Sequence, residues 1–67
     1  MAIEMTRDEM IDDLVLTWRG IQRLDPTASV DLDQARQEWQ TRPSHLLEID
    51  YNLARQQLWR LVSQQNG

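Results

Sequence analysis

The chain has 67 residues, which is the length of one domain at most. It contains no cysteine and a single histidine, so disulfides and thiolate zinc sites are excluded. The net charge of −4 argues against the basic surface by which proteins hold nucleic acid phosphates.

The first residues contain no basic segment followed by an apolar one, so we expect no secretory signal. No apolar run approaches the roughly 20 residues needed to span a bilayer. All seven basic residues are arginine, which is typical of a GC-rich genome and indicates a bacterial or phage source. We therefore expect a cytoplasmic protein without membrane contact.

The first predicted helix covers residues 7–24. Thr6 and Glu9 have the spacing of a capping box, in which side chains satisfy backbone N–H groups at the helix entry. Pro26 ends the helix, because the residue before a proline avoids helical geometry. One face carries apolar residues at spacings of three and four. They are Ile11, Leu14, Trp18 and Ile21.

The second predicted helix is shorter and covers residues 32–41. Asp31 is placed to cap it, with Gln34 three residues further on. Leu32, Ala35 and Trp39 share a face. Pro43 limits the helix, although a kinked continuation into the next helix is an alternative.

The third predicted helix covers residues 44–63, and the remaining tail is expected to fray. It carries two apolar stripes separated by more than a quarter-turn. The main stripe consists of Leu47, Tyr51, Ala54, Leu58 and Leu61, and the second consists of Leu46, Ile49 and Leu53. Because a helix that is apolar on two sides is normally central, we expect this helix to be the most buried.

These elements predict one all-α domain over residues 1–67, either a small three-helix bundle or a kinked helical hairpin. A domain of this size buries only about 60% of the surface of its unfolded chain, so homodimerisation would supply missing support. In a bundle, Leu46, Ile49 and Leu53 would pack on helix two. In a hairpin they would be exposed, which makes them candidates for a dimer interface.

No pattern predicts catalysis or a cofactor. His45 and Glu48 are three residues apart, but no second histidine completes a metal site. The acidic residues Glu9, Asp12 and Asp13 have the favourable charge for a helix start, which explains them without Mg²⁺. The chain has neither a Gly-x-Ser-x-Gly motif nor a glycine-rich phosphate loop. We expect a protein that is not an enzyme and holds no metal.

Two apolar residues lie away from the stripes. Leu16 falls among charged residues opposite the apolar face of helix one, and Trp59 lies off the main stripe of helix three. Gly20, beside Leu16, is costly inside a helix, and close approach by a partner is one reason for it. Tryptophan and arginine are enriched in binding hot spots. The candidate partner-binding residues are Leu16, Arg19, Arg23, Trp59 and Arg60.

The sequence therefore favours a module that binds another protein and acts as a small regulator, inhibitor or adaptor. The alternative is a small dimeric DNA-binding regulator, with a helix-turn-helix in helices two and three, or an antagonist of a DNA-binding protein. The acidic charge favours the antagonist over direct DNA binding.

Overall fold

The structure, a computed structural model, describes residues 5–66. It contains three helices, α1 (Arg7–Leu24), α2 (Leu32–Thr41) and α3 (Ser44–Asn66). The all-α three-helix bundle is confirmed. The helices α1 and α2 have the predicted bounds, whereas α3 continues three residues beyond its predicted end. Helix α3 therefore extends into the segment expected to fray.

The starts of α1 and α2 are set by side chains that accept hydrogen bonds from backbone N–H groups. The Glu9 N–H donates to the Thr6 hydroxyl oxygen at 3.2 Å, and that hydroxyl donates to the Glu9 carboxylate at 3.1 Å. At α2, the Asp31 carboxylate accepts the N–H groups of Asp33 and Gln34. Both caps satisfy donors that have no partner within the helix.

Between α2 and α3 the chain turns over two residues, Arg42 and Pro43. Arg42 is extended, with φ −80° and ψ 140°, as expected for a residue that precedes proline. The backbone of α2 therefore does not continue into α3. The kinked-hairpin alternative is wrong, and the two helices are separate.

Helix α1 packs against both other helices, antiparallel to α2 and parallel to α3. At its start, the Arg7 guanidinium donates to the carbonyl oxygens of Trp39 and Gln40 at the end of α2, and to the Ser44 hydroxyl oxygen at the start of α3. Near its other end, the Gln22 side-chain amide donates to the carbonyl of Val30, just before α2.

Most of the core belongs to α1, not to α3. Among the residues that the structure describes, the buried apolar side chains are Ile11, Leu14, Val15, Ile21, Trp39, Leu47 and Ala54. Four of these seven lie on α1, which also buries Thr17. The expectation that helix three is the most buried is therefore wrong. Two apolar stripes make a helix central only when each stripe packs on a neighbouring helix. Here α2 and α3 both pack on α1, so α1 is the central helix.

The second stripe of α3 is not packed on α2, contrary to the expectation for a bundle. Leu46, Ile49 and Leu53 are 37%, 52% and 58% exposed. A groove of about 320 Å³ separates α2 from α3, with Trp18 and Ala54 among its lining residues. The Cα atoms extend over 34 × 33 × 15 Å, so the bundle is flat. One edge of α3 is left uncovered.

None of the helices described between residues 5 and 66 combines the length and the apolar character needed to cross a membrane.

Candidate partner-binding surfaces

The outer face of α1 places Leu16 in solvent, as its position off the apolar stripe indicates. The side chain is 62% exposed. Arg19 and Arg23, one and two turns further along α1, are also exposed. Asp12 lies one turn before Leu16, so a single aliphatic side chain stands among charged ones. Leu16 is therefore a small exposed apolar site with arginines on one side of it.

Gly20 has a reason within the chain, so the close approach of an external partner is not needed to explain it. A Cβ atom built on Gly20 would lie 3.3 Å from Cδ1 of Leu58 and 3.8 Å from its Cδ2. Glycine thus lets α1 and α3 approach each other at this level. The structure therefore explains Gly20 by a contact between α1 and α3.

Trp59 forms a cleft on the surface of α3. Its side chain is 66% exposed and lines, with Arg55, Leu58 and Val62, a depression of about 250 Å³. Leu58, Trp59 and Val62 follow Arg55 by three, four and seven residues, so the four side chains share one face of the helix. We call this surface the Trp59 cleft. Its walls are mainly apolar, with one guanidinium at the edge.

The predicted partner-binding residues do not form one surface. Within residues 5–66 the Trp59 cleft is lined by α3 alone, so neither Leu16 nor the arginines of α1 contribute to it. Arg60 follows Trp59 in sequence but points about 100° away from it around the helix. It lies seven residues after Leu53, on the side of the second stripe.

Arginine side chains divide into two groups. Three form ion pairs, Arg36 with Asp12, Arg42 with Asp50, and Arg55 with Asp13. Arg7 binds the end of α2, as described above. For Arg19, Arg23 and Arg60 the structure shows no ion pair or hydrogen bond with any residue between 5 and 66. These are the three arginines that the sequence analysis predicts to bind a partner.

The second apolar surface of α3 consists of Leu46, Ile49 and Leu53, which we call the free stripe. These positions have the spacing of three and four residues found along helix–helix seams. The nearest ion pair joins Arg42 Nε to Asp50 Oδ2 at 2.9 Å. The free stripe therefore presents aliphatic side chains beside a neutralised pair.

A polar cluster joins α1 to α3 beside the Trp59 cleft. The Tyr51 hydroxyl donates to the Asp13 carboxylate, and Arg55 Nη1 lies 3.5 Å from the same oxygen and 3.3 Å from the phenol oxygen. The hydrogen bond to Asp13, followed by burial, raises the pKa of Tyr51 above its ordinary value of 10.0, while Arg55 opposes the rise. The cluster fixes the orientation of Arg55 at the edge of the cleft.

Carboxylates of the acidic group on α1 point to partners within the chain. Glu9 accepts from the Thr6 hydroxyl, Asp12 pairs with Arg36, and Asp13 belongs to the Tyr51 cluster. They do not converge on a common point. Among the residues that the structure describes, no three His, Asp or Glu side chains are arranged to hold a metal ion.

Three residues of the cleft were missed by the sequence analysis. Leu58 was assigned wholly to the main stripe, and neither Arg55 nor Val62 was considered for binding. The signal that finds Arg55 and Val62 is the helical spacing around Trp59, since positions four before and three after a residue lie beside it.

Comparisons of the chain with protein-family models, with curated proteins and with solved structures find no match.

Proposed function

We propose that this protein is a non-enzymatic interaction module, a small regulator, inhibitor or adaptor that binds another protein through the Trp59 cleft. The observation that carries the proposal is a tryptophan 66% exposed at an apolar depression whose edge bears an arginine. Exposed tryptophans with neighbouring arginines are the residue types most enriched at the energetic centres of interfaces.

The arginines support the same function. Arg19 and Arg23 project from α1 without partners among residues 5–66, while the other arginines of α1 and α2 are engaged within the fold. Unpaired guanidinium groups on an otherwise acidic protein favour a partner that offers carboxylates. A second contact around Leu16 would extend the surface across the outer face of α1.

The DNA-binding alternative has weaker support. Arg36 in α2 and Arg42 in the turn before α3, where a helix-turn-helix would have its turn, are held by Asp12 and Asp50. Phosphate contacts would have to break these pairs. An antagonist of a DNA-binding protein remains compatible with the proposed function, since it too would bind a protein.

The test compares capture of proteins from a lysate of the source cell by tagged wild type, Trp59→Ala and Leu53→Ala. Both substituted side chains are exposed, so each variant should keep the helical circular dichroism of the wild type. We expect a protein captured by the wild type and by Leu53→Ala, and lost with Trp59→Ala. With the purified partner, calorimetry should show a dissociation constant raised about 30-fold, as for a hot-spot residue.

Capture that is unchanged by Trp59→Ala would show that the cleft is not the binding surface. Capture by neither the wild type nor the Leu53→Ala variant would remove the proposed function. A shift of DNA at low salt in a mobility assay would favour the alternative, because even non-specific binding is detected there.

A further inference from the structure

We infer that two copies of this chain pair through the free stripe, with their α3 helices antiparallel. This pairing is separate from the Trp59 cleft and goes beyond the function proposed above. The argument rests on the spacing of the stripe, on its charge and on the position of α2.

The spacing of the free stripe is self-complementary. Leu46, Ile49, Leu53 and Gln56 alternate in steps of three and four, as in the seam between two packed helices. When two such helices cross antiparallel at the level of Tyr51, Ile49 of each copy lies opposite Leu53 of the other. Leu46 then lies opposite Gln56. A two-fold interface needs this property, because the same patch must fit itself.

The charges around the free stripe permit two copies to meet. A chain of net charge −4 repels its own copies over most of its surface. Within the described part of the chain, the side of α3 that carries the stripe has no unpaired charge before Arg60, because its one carboxylate, Asp50, is joined to Arg42 at 2.9 Å. The stripe is therefore a place where self-association meets little repulsion.

The same charges select the antiparallel direction. A parallel pair would place Arg60 of one copy against Arg60 of the other at the end of the stripe, and like charges in such a seam are unfavourable. An antiparallel pair sends the two Arg60 side chains to opposite ends, where each faces the Arg42–Asp50 ion pair of the other copy, which carries no net charge. It also sets the helix dipoles in their favourable relative orientation.

The fold supplies the reason for a second copy. Helix α2 packs on α1, which leaves Ile49 and Leu53 more than half exposed to solvent among the described residues, and the domain is small enough that oligomerisation is a usual means of support. In the pair, the Trp59 clefts lie at opposite ends, about 24 Å apart along the helix axis. If the clefts bind a partner as proposed, the dimer offers two binding sites.

The first experiment measures mass by sedimentation equilibrium over concentrations up to the millimolar range. We expect the wild type to approach twice the mass of one chain, and Leu53→Glu to remain a monomer with unchanged helical content. Leu16→Glu is the matched control, since Leu16 is equally exposed, at 62% against 58%, but lies on α1. It should dimerise like the wild type.

The second experiment tests the direction of the helices. Because the chain has no cysteine, single-cysteine variants cross-link only at the chosen position. Under mild oxidation, an equimolar mixture of Ile49→Cys and Leu53→Cys should form the mixed disulfide, whereas each variant alone should stay largely reduced. A parallel pair would give the reverse result.

A wild type that is monomeric at all concentrations would overturn the inference, as would a dimer that survives Leu53→Glu. Disulfides formed by each cysteine variant alone would overturn the antiparallel pairing. Trp59→Ala should dimerise normally, so a failure of partner capture would not count against the dimer. A failure to dimerise would likewise not count against partner binding at the Trp59 cleft.

Discussion

Two leucines on the same helix show how differently the two sides of α3 are used. Leu47 is fully buried against α1, whereas Leu53 is 58% exposed although it belongs to an equally regular apolar stripe. Their chemistry and secondary structure are the same. The difference comes from the neighbour, because α1 covers one side and α2, which packs on α1, covers little of the other.

The largest expected effect is on the free energy of unfolding, which alanine substitution should lower much more at Leu47 than at Leu53. Leu47→Ala should lower the free energy of unfolding by about 2–5 kcal/mol, since it removes buried atoms and leaves a cavity. Leu53→Ala should change it by no more than about 0.5 kcal/mol, as is usual at exposed sites. Urea denaturation at low protein concentration, where self-association does not contribute, measures both.

For a chain of this length the whole stability is on the order of 3–10 kcal/mol, so the Leu47 variant should be partly unfolded at moderate temperature. Equal costs for the two variants would contradict the difference in burial on which the comparison rests.

A smaller effect is expected at the contact between α1 and α3. Gly20→Ala removes a helix-interior glycine, which is worth about 1 kcal/mol in helix propensity. The new methyl group would meet Leu58 at 3.3 Å, and the half-buried end of that leucine must move slightly. We expect the net gain in unfolding free energy to be less than about 1 kcal/mol.

A double-mutant cycle isolates this contact. In a Leu58→Ala background the obstacle is absent, so Gly20→Ala should show its full gain of about 1 kcal/mol. The same gain in both backgrounds would mean that Leu58 does not limit the approach of the two helices at Gly20.

The features that the sequence predicts correctly are those set by neighbouring residues along the chain. The Thr6 and Asp31 caps and Pro43 define where the helices begin and end, and helical periodicity correctly leaves Leu16 and Trp59 outside the core. Periodicity also finds both stripes of α3, but it does not say which one has a neighbour. That depends on where the segment between α1 and α2 directs α2, and on three-dimensional contacts such as that between Gly20 and Leu58.

The smallest effect concerns the Tyr51 cluster at the edge of the covered side. Tyr51 is the single tyrosine, and the chain has neither lysine nor cysteine, so no other side chain titrates between about pH 9 and 12. The hydrogen bond to Asp13 raises the pKa of Tyr51 above 10.0 in the folded state. The stability that it contributes is therefore fully present below about pH 10, and is lost as pH rises through the raised pKa.

We expect the unfolding free energy of the wild type to fall with pH above this point, and that of Tyr51→Phe to stay nearly level. At neutral pH the substitution should cost about 1 kcal/mol, the typical contribution of one hydrogen bond. Denaturation at a series of pH values gives both quantities, and the absorbance of the phenolate reports the titration directly. Parallel curves for the two proteins would mean that the pKa of Tyr51 is the same in the folded and unfolded states, so that Arg55 fully offsets the effect of Asp13.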